Sequence, residues 1–249
     1  MGRLPEVFAI VILILILCSN TCAGYVVDAD LSDWGVTPFV NWQPKDNVDY
    51  IVADGVNLYD CLDYREEYDY EALYFDDDAE NFYFAVVGSY ALGEDTKGGD
   101  LGIDLNNDFS VSSHGSVTGL EYAVKISSDV TGTVLADPTW SRTWPHEWPD
   151  GWQGAPYDAS DGTILGIATV AVEYYPLMED GTYILEIAVP RDLFPDQYRS
   201  GDVVNCHISH WCGNDSINLS GVINIPEPAT LLFCCAGMYF TYYLRRKQD

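Results

Sequence analysis

The sequence predicts an all-β protein, an antiparallel β-sandwich of jelly-roll or immunoglobulin-like type, carried between an N-terminal leader and a C-terminal apolar segment. Three observations predict it. Short runs of β-branched and aromatic residues recur along the interior, each bounded by Gly, Pro, Asp or Asn. No amphipathic helical pattern separates them, which argues against an α/β arrangement. Of 249 residues, 48% are hydrophobic, with 18 Tyr, 9 Phe and 7 Trp, enough for one sizeable core and too much for a disordered acidic tail. Against 39 Asp and Glu stand 11 Lys and Arg, a formal net charge of -28, which argues against nucleic acid as a partner.

The leader comes first. Arg3, the apolar run Val7 to Leu17 and the small-residue site Thr21-Cys22-Ala23 follow the charged, apolar, cleavable order of a secretory signal peptide. Eleven apolar residues fall short of the roughly 20 that span a bilayer. The expectation is that residues 1–23 are removed and a domain at 24–222 is exported. Residues 24–225 hold 7 basic and 36 acidic side chains, a net -29, a surface that repels polyanions and attracts cations.

Within that domain Glu71–Phe75 and Phe82–Val87 read as a hairpin closed by the acidic turn 76–81. Further strands are expected at 101–105, 120–126, 164–175, 183–189 and 203–211. In Leu101-Gly102-Ile103-Asp104-Leu105 the alternation puts one face in the core and the other in water. Pro190 to Phe194 reads as a helical turn.

Asp104, Asn106 and Asp108 place oxygen ligands at i, i+2 and i+4, as the start of a calcium loop does. Phe109 stands where an EF-hand needs Gly and Gly115 where it needs its closing Glu, so other loops must complete such a site, Asp100 or Asp76 to Asp78 among them. The expected set is Asp100, Asp104, Asn106 and Asp108, structural rather than catalytic, and the competing reading is a solvated hairpin turn. Trp140, Trp144, Trp148 and Trp152 recur every four residues, but Pro145 and Pro149 forbid a regular helix. A Trp-rich loop of this kind suits stacking on sugar rings; the alternative is that the rings cap the core.

Leader and tail contain Cys18, Cys22, Cys234 and Cys235, leaving Cys61, Cys206 and Cys212 in the exported domain. One disulfide and one thiol is the simplest oxidised state, with Cys61 bridged to Cys206 or, as the working pair, to Cys212. Cys206 and Cys212 lie about 20 Å apart on an extended strand, too far to share a zinc ion with His207 and His210. Catalytic signatures are missing: there is no G-x-S-x-G, H-E-x-x-H, C-x-x-C or phosphate-binding glycine loop. Among so many carboxylates, pairs at glycosidase spacing arise by chance, so Glu71, Glu121 and Glu186 are not nominated. The expectation is a non-enzyme.

At the far end Pro226-Glu227-Pro228 precedes the short apolar run 229–244 and the basic cluster Arg245-Arg246-Lys247, a transmembrane pattern with snorkelling cations. Together with the leader, residues 225–249 resemble the PEP-CTERM sorting tail of bacterial exported proteins. The resemblance implies exosortase and the secretion machinery as partners, an inner-membrane anchor before processing, then the cell surface or the extracellular matrix, in bacteria that make extracellular polysaccharide. Asp28-Ala29-Asp30-Leu31-Ser32-Asp33-Trp34, Glu71 to Asp77, Gly99 to Asp104 and Ala188-Val189-Pro190 resemble family 9 carbohydrate-binding modules and DOMON domains, where the usual Gly stands in place of Ala29. This implies a sandwich that binds sugars or haem or serves as a scaffold, with any calcium structural. Combined, these expectations describe a non-catalytic carbohydrate-binding or adhesive surface protein. The alternatives are a calcium-stabilised structural protein and a secreted glycan-active enzyme.

Overall fold

Every regular element among the described residues is a β-strand, apart from one 3-10 turn at Arg191–Leu193. The computed structural model describes residues 24–53, 69–89, 99–111, 117–126, 131–142, 155–176, 181–195, 198–210 and 215–224. The strands are β1 Asp49–Val52, β2 Tyr70–Asp77, β3 Asn81–Gly88, β4 Leu101–Asp104, β5 Ser110–Val111, β6 Val117–Thr118, β7 Tyr122–Ile126, β8 Gly132–Ala136, β9 Thr139–Arg142, β10 Pro156–Ser160, β11 Thr163–Tyr175, β12 Thr182–Pro190, β13 Val203–Ser209 and β14 Ser216–Val222. Ten of them share the order β1-β2-β3-β12-β11-β8-β7-β4-β13-β14, antiparallel at every pairing.

β11 divides that order into two sheets. Its first half, from Thr163 to Ala168, pairs with β8, and its second half, from Thr169 to Tyr175, pairs with β12. A strand that changes partner in this way turns the corner of a sandwich. At the opposite edge β14 comes back to the first sheet: the Val222 N–H donates to the Asp49 carboxylate at 2.7 Å and the Asn224 N–H to Asp77 at 2.9 Å. Gly221 is required there, since a Cβ would lie 2.5 Å from the Phe75 ring. The result is a β-sandwich or barrel-like all-β unit spanning residues 25–224.

Period-two alternation decides what each sheet buries. On β2, β3 and β12 the residues Ala72, Tyr74, Tyr83, Ala85, Val87, Ile184 and Ala188 face outward into a cluster with Leu31, Trp34, Val36 and Val48, so the segment before β1 lids that sheet. Their alternates Leu73, Phe75, Phe82, Phe84, Leu185 and Ile187 are buried on the other face. Each fully buried large side chain contributes about 1.5–3 kcal/mol. The second sheet has its own cover, the β9–β10 hairpin, whose Ala159 and Trp140 pack on Ala123 and Leu135.

The hairpin over 71–87 forms as expected, as do the strands near 101, 120, 164, 183 and 203 and the turn after Pro190. One expectation is corrected: β4 has no wet face. All four of its residues are buried, because Leu120 covers the second face so closely that a Cβ on Gly102 would lie 2.7 Å from it. Among the described residues no helix is long and apolar enough to cross a membrane; the leader and the run 229–244 lie outside them.

Candidate functional site

The acidic turn after β4 is organised by its first residue. Asp104 is fully buried; its Oδ1 accepts the N–H groups of Asn106 and Asn107 at 2.9 and 2.8 Å, and its Oδ2 accepts the Phe109 N–H at 3.0 Å and the Asn205 side-chain amide at 2.8 Å. Four donors use the lone-pair sites of a carboxylate. Asn106 Oδ1 in turn accepts the Asp108 N–H at 2.9 Å. The i, i+2, i+4 spacing thus builds successive side-chain turns, with Asn107 in the left-handed region at φ 63°, a conformation Asn tolerates.

Glu121 joins this turn from 17 positions along the chain. Register makes the meeting: Ile103 pairs with Tyr122, so the residue before β7 falls beside the residue that ends β4. Carboxylate oxygens of Asp104, Asp108 and Glu121 lie within 4.8 Å of one another. Glu121 Oε2 accepts the Leu105 N–H at 3.3 Å, while its buried Oε1 has no hydrogen-bond partner. Burial, reinforced by the charges of Asp104 and Asp108, pushes its pKa up to about 7. Asp108 sits against Gly119, where a Cβ would lie 2.3 Å from its Oδ1. Three hard oxygen donors suit calcium, although Asp104 offers one only by giving up a hydrogen bond.

Asp100 does not belong to this group. It sits at the other end of β4, about 13 Å from Asp104 along an extended chain. Its carboxylate accepts the N–H groups of Ile126 and Ala159, both at 2.8 Å, beside the Lys125 ammonium at 3.7 Å. It therefore pins the β9–β10 hairpin to β7, and burial raises its pKa to about 6. The 76–78 turn is also occupied elsewhere: Asp76 accepts the Tyr25 hydroxyl, Asp77 pairs with Arg191, and Asp78 accepts the Tyr83 hydroxyl at 2.9 Å.

A cavity of about 130 Å³ opens beside the acidic turn, lined by Leu105, Asn106, Glu121, Tyr122, Pro195 and Tyr198. Its tyrosines are held from behind. The Tyr122 ring meets Phe194 edge-on at 4.9 Å, and Tyr198 meets Phe82 at 5.2 Å while its hydroxyl donates to the Arg191 carbonyl at 2.9 Å.

The opening motif, Asp28 to Trp34, has a structural role. Glu186, on the outward face of β12, is nearly inaccessible; it accepts the Trp34 Nε1–H at 2.6 Å and the N–H groups of Ala29 and Asp28 at 2.5 and 2.9 Å. Ala29 adopts φ 63°, a left-handed conformation that glycine takes more readily than alanine. Burial raises the Glu186 pKa and the three donors oppose that rise.

Of the tryptophans, Trp140 is half-buried under the β9–β10 hairpin and its Nε1–H points to the Leu120 carbonyl at 3.4 Å; Trp144, Trp148 and Trp152 lie outside the described residues. Cys206 is buried as a free thiol, and Cys61 and Cys212 lie outside the described residues, as do Pro226, Glu227, Pro228, Arg245, Arg246 and Lys247. His207 is buried between Asn218 at 2.6 Å and the Pro156 carbonyl at 3.1 Å, with a pKa lowered to about 4 by burial. His210 stacks on Tyr70 with ring centroids 4.1 Å apart. Beside it Asp215 accepts the Tyr70 N–H at 2.7 Å, and burial, together with the charge of Asp69, pushes its pKa up to about 7.

No family model, no curated protein and no solved structure matches the chain.

Proposed function

We propose that the chain is an exported, exosortase-sorted protein of the cell surface or extracellular matrix, and that its jelly-roll or immunoglobulin-like domain binds extracellular polysaccharide without catalysis. The observation that carries this is the β9–β10 hairpin. Arg142 pairs with Pro156, so the chain from 143 to 154, with its three tryptophans, joins the paired ends of a hairpin docked on the outside of a sheet. Tryptophans spaced as in that stretch of sequence suit stacking on sugar rings. The test is calorimetry and affinity electrophoresis of the exported protein against a polysaccharide panel, with and without calcium, beside a Trp144→Ala, Trp148→Ala, Trp152→Ala variant. Saturable binding that the variant loses is expected. Equal retention by both proteins would remove the Trp segment from the site, and turnover of any glycan would replace binding with catalysis.

The partnerless Glu121 oxygen beside Asp104 and Asp108 favours a second reading, a structural surface protein that calcium stabilises. Glu121 and Asp108 would hold the ion, and it would neutralise carboxylates that repel one another. A melting temperature raised by millimolar calcium and restored by chelation is the expected result; no response would end this reading.

A further inference from the structure

We propose that Tyr50, Tyr74, Trp34, Tyr25 and Tyr83 form an electron-hole relay under the N-terminal lid, which carries a one-electron oxidation from the surface to Tyr83 and holds it there as a tyrosyl radical. This redox site stands apart from the polysaccharide reading. Phenol and indole rings are among the side chains that give up a single electron most readily, and here they follow one another without a gap. Tyr50 and Tyr74 face each other across the β1–β2 pairing and stack with centroids 6.0 Å apart, 11° from parallel. Trp34 lies 6.1 Å beyond Tyr74, Tyr25 4.0 Å beyond Trp34, and Tyr83 4.9 Å beyond Tyr25. Tyr50 is 42% exposed, whereas Tyr74, Trp34 and Tyr83 are buried, so an oxidant in solvent meets the relay at Tyr50.

The far end is built to release a proton. A phenol that loses an electron becomes a strong acid, and the neutral radical forms only where its proton has an acceptor. The Tyr83 hydroxyl donates to Asp78 Oδ2 at 2.9 Å, within proton-transfer reach, and the Tyr25 hydroxyl donates to Asp76. Register accounts for this: Asp76 pairs with Tyr83, so the turn after β2 brings Asp78 alongside the same ring. Charge chooses between the two phenols. The Lys45 ammonium lies 3.8 Å from the centre of the Tyr25 ring and disfavours loss of an electron there. The Tyr83 oxygen instead accepts the Asn81 amide at 3.1 Å, a bond that survives departure of the phenolic proton. The net charge of -28 favours loss of an electron along the whole relay. In sum, one electron passes from Tyr83 through the rings to a one-electron oxidant, and the Tyr83 hydroxyl proton moves to Asp78. No other bond forms or breaks. Burial keeps the Tyr83 radical from meeting a second radical, so it persists.

The test is pulse radiolysis with azide radicals, each of which takes one electron and becomes azide. Every protein compared carries Trp144→Ala, Trp148→Ala and Trp152→Ala, which removes three other indoles, and each is checked by thermal melting. A slowly decaying phenoxyl signal in absorption and electron paramagnetic resonance is expected, lost in Tyr83→Phe and reduced in Tyr50→Phe. Trp34→Phe interrupts the relay and strands the hole at Tyr50; Tyr74→Phe does the same without disturbing Glu186. Two stranded Tyr50 radicals join through a ring C–C bond, each displaced ring hydrogen moving to its own oxygen, so mass spectrometry should find dityrosine at Tyr50 in these variants and little in the parent. A slow phenoxyl signal unchanged in Tyr83→Phe would overturn the relay. So would Tyr50 cross-linking as high in the parent as in Tyr74→Phe, and the five rings would then serve packing alone.

Discussion

Glu186 and Glu121 are both glutamates withdrawn from water next to a run of aspartates, and they end in opposite states. At Glu186 the chain brings an indole N–H and two backbone N–H groups to the carboxylate, so charge is compensated and the segment is locked down. At Glu121 one oxygen has a long bond to Leu105 and the other has none. The donors that could have served it are spent on Asp104, four of them on one residue. The difference teaches where to look for a ligand in a strongly acidic protein: at the carboxylate the fold leaves short of donors, since carboxylates at large are abundant.

The largest expected effect breaks the compensated side. Glu186→Ala would orphan the Trp34 indole and the Ala29 and Asp28 amides beneath the lid, at about 1–3 kcal/mol for each buried unsatisfied donor. We expect a loss of roughly 3–5 kcal/mol in chemical denaturation. A loss below about 1 kcal/mol would mean that the lid is held by apolar contact alone and that the comparison with Glu121 is misplaced.

The opposite sign is expected on the other side. Glu121→Gln removes a charge that the turn does not compensate, so in chelator at pH 8 the melting temperature should hold or rise. It should also lose any stabilisation by calcium that the natural protein shows. A clear drop in melting temperature without calcium would show that Glu121 is compensated after all.

Acid sharpens the same distinction. A carboxyl whose folded pKa lies above its unfolded value of about 4 binds its proton more tightly when folded. Its contribution is complete below the unfolded value and is lost as pH rises through the folded one. For Asp215 and Asp100 the folded values are about 7 and about 6. His207, lowered to about 4, works the other way: its contribution is present above the ordinary histidine value and lost as pH falls towards 4. With Glu121, also raised to about 7, three carboxyls outweigh one imidazole, so the melting temperature should climb as pH drops from 8 to about 5, and Asp215→Asn should flatten that climb. A steady fall over the same range would contradict the buried-carboxyl account.

Much of this frame was legible in the sequence. The aromatic runs at 71–75 and 82–87 with an acidic turn between them gave the central hairpin, because period-two patterning and turn chemistry are local. The short strands escaped: Ser110–Val111 and Val117–Thr118 pair over two residues each, too few to show a period. The turn role of Asp104, Asn106 and Asp108 was visible as an alternative to calcium, since side-chain turns depend on neighbours within five residues. Asp100 looked equivalent to Asp104 by composition, yet strand length separates them. Glu121 is not legible in the sequence, because its relation to Asp104 exists only through the β4–β7 register. The signal that could have found it is an acidic residue just before a strand, opposite an acidic residue that ends one.

The smallest expected effect concerns Trp140, the one tryptophan of its series within the described residues. Its ring lies on Ala123, Leu135 and Ala159, and its indole N–H reaches the Leu120 carbonyl at 3.4 Å, a long hydrogen bond contributing at most about 1 kcal/mol. Trp140→Phe keeps most of the apolar contact, so stability should fall by about 1 kcal/mol or less. Polysaccharide binding, where the natural protein shows it, should be unchanged, because a ring packed on the sheet is not offered to a ligand. Loss of binding in this variant at unchanged melting temperature would make Trp140 itself part of the binding site.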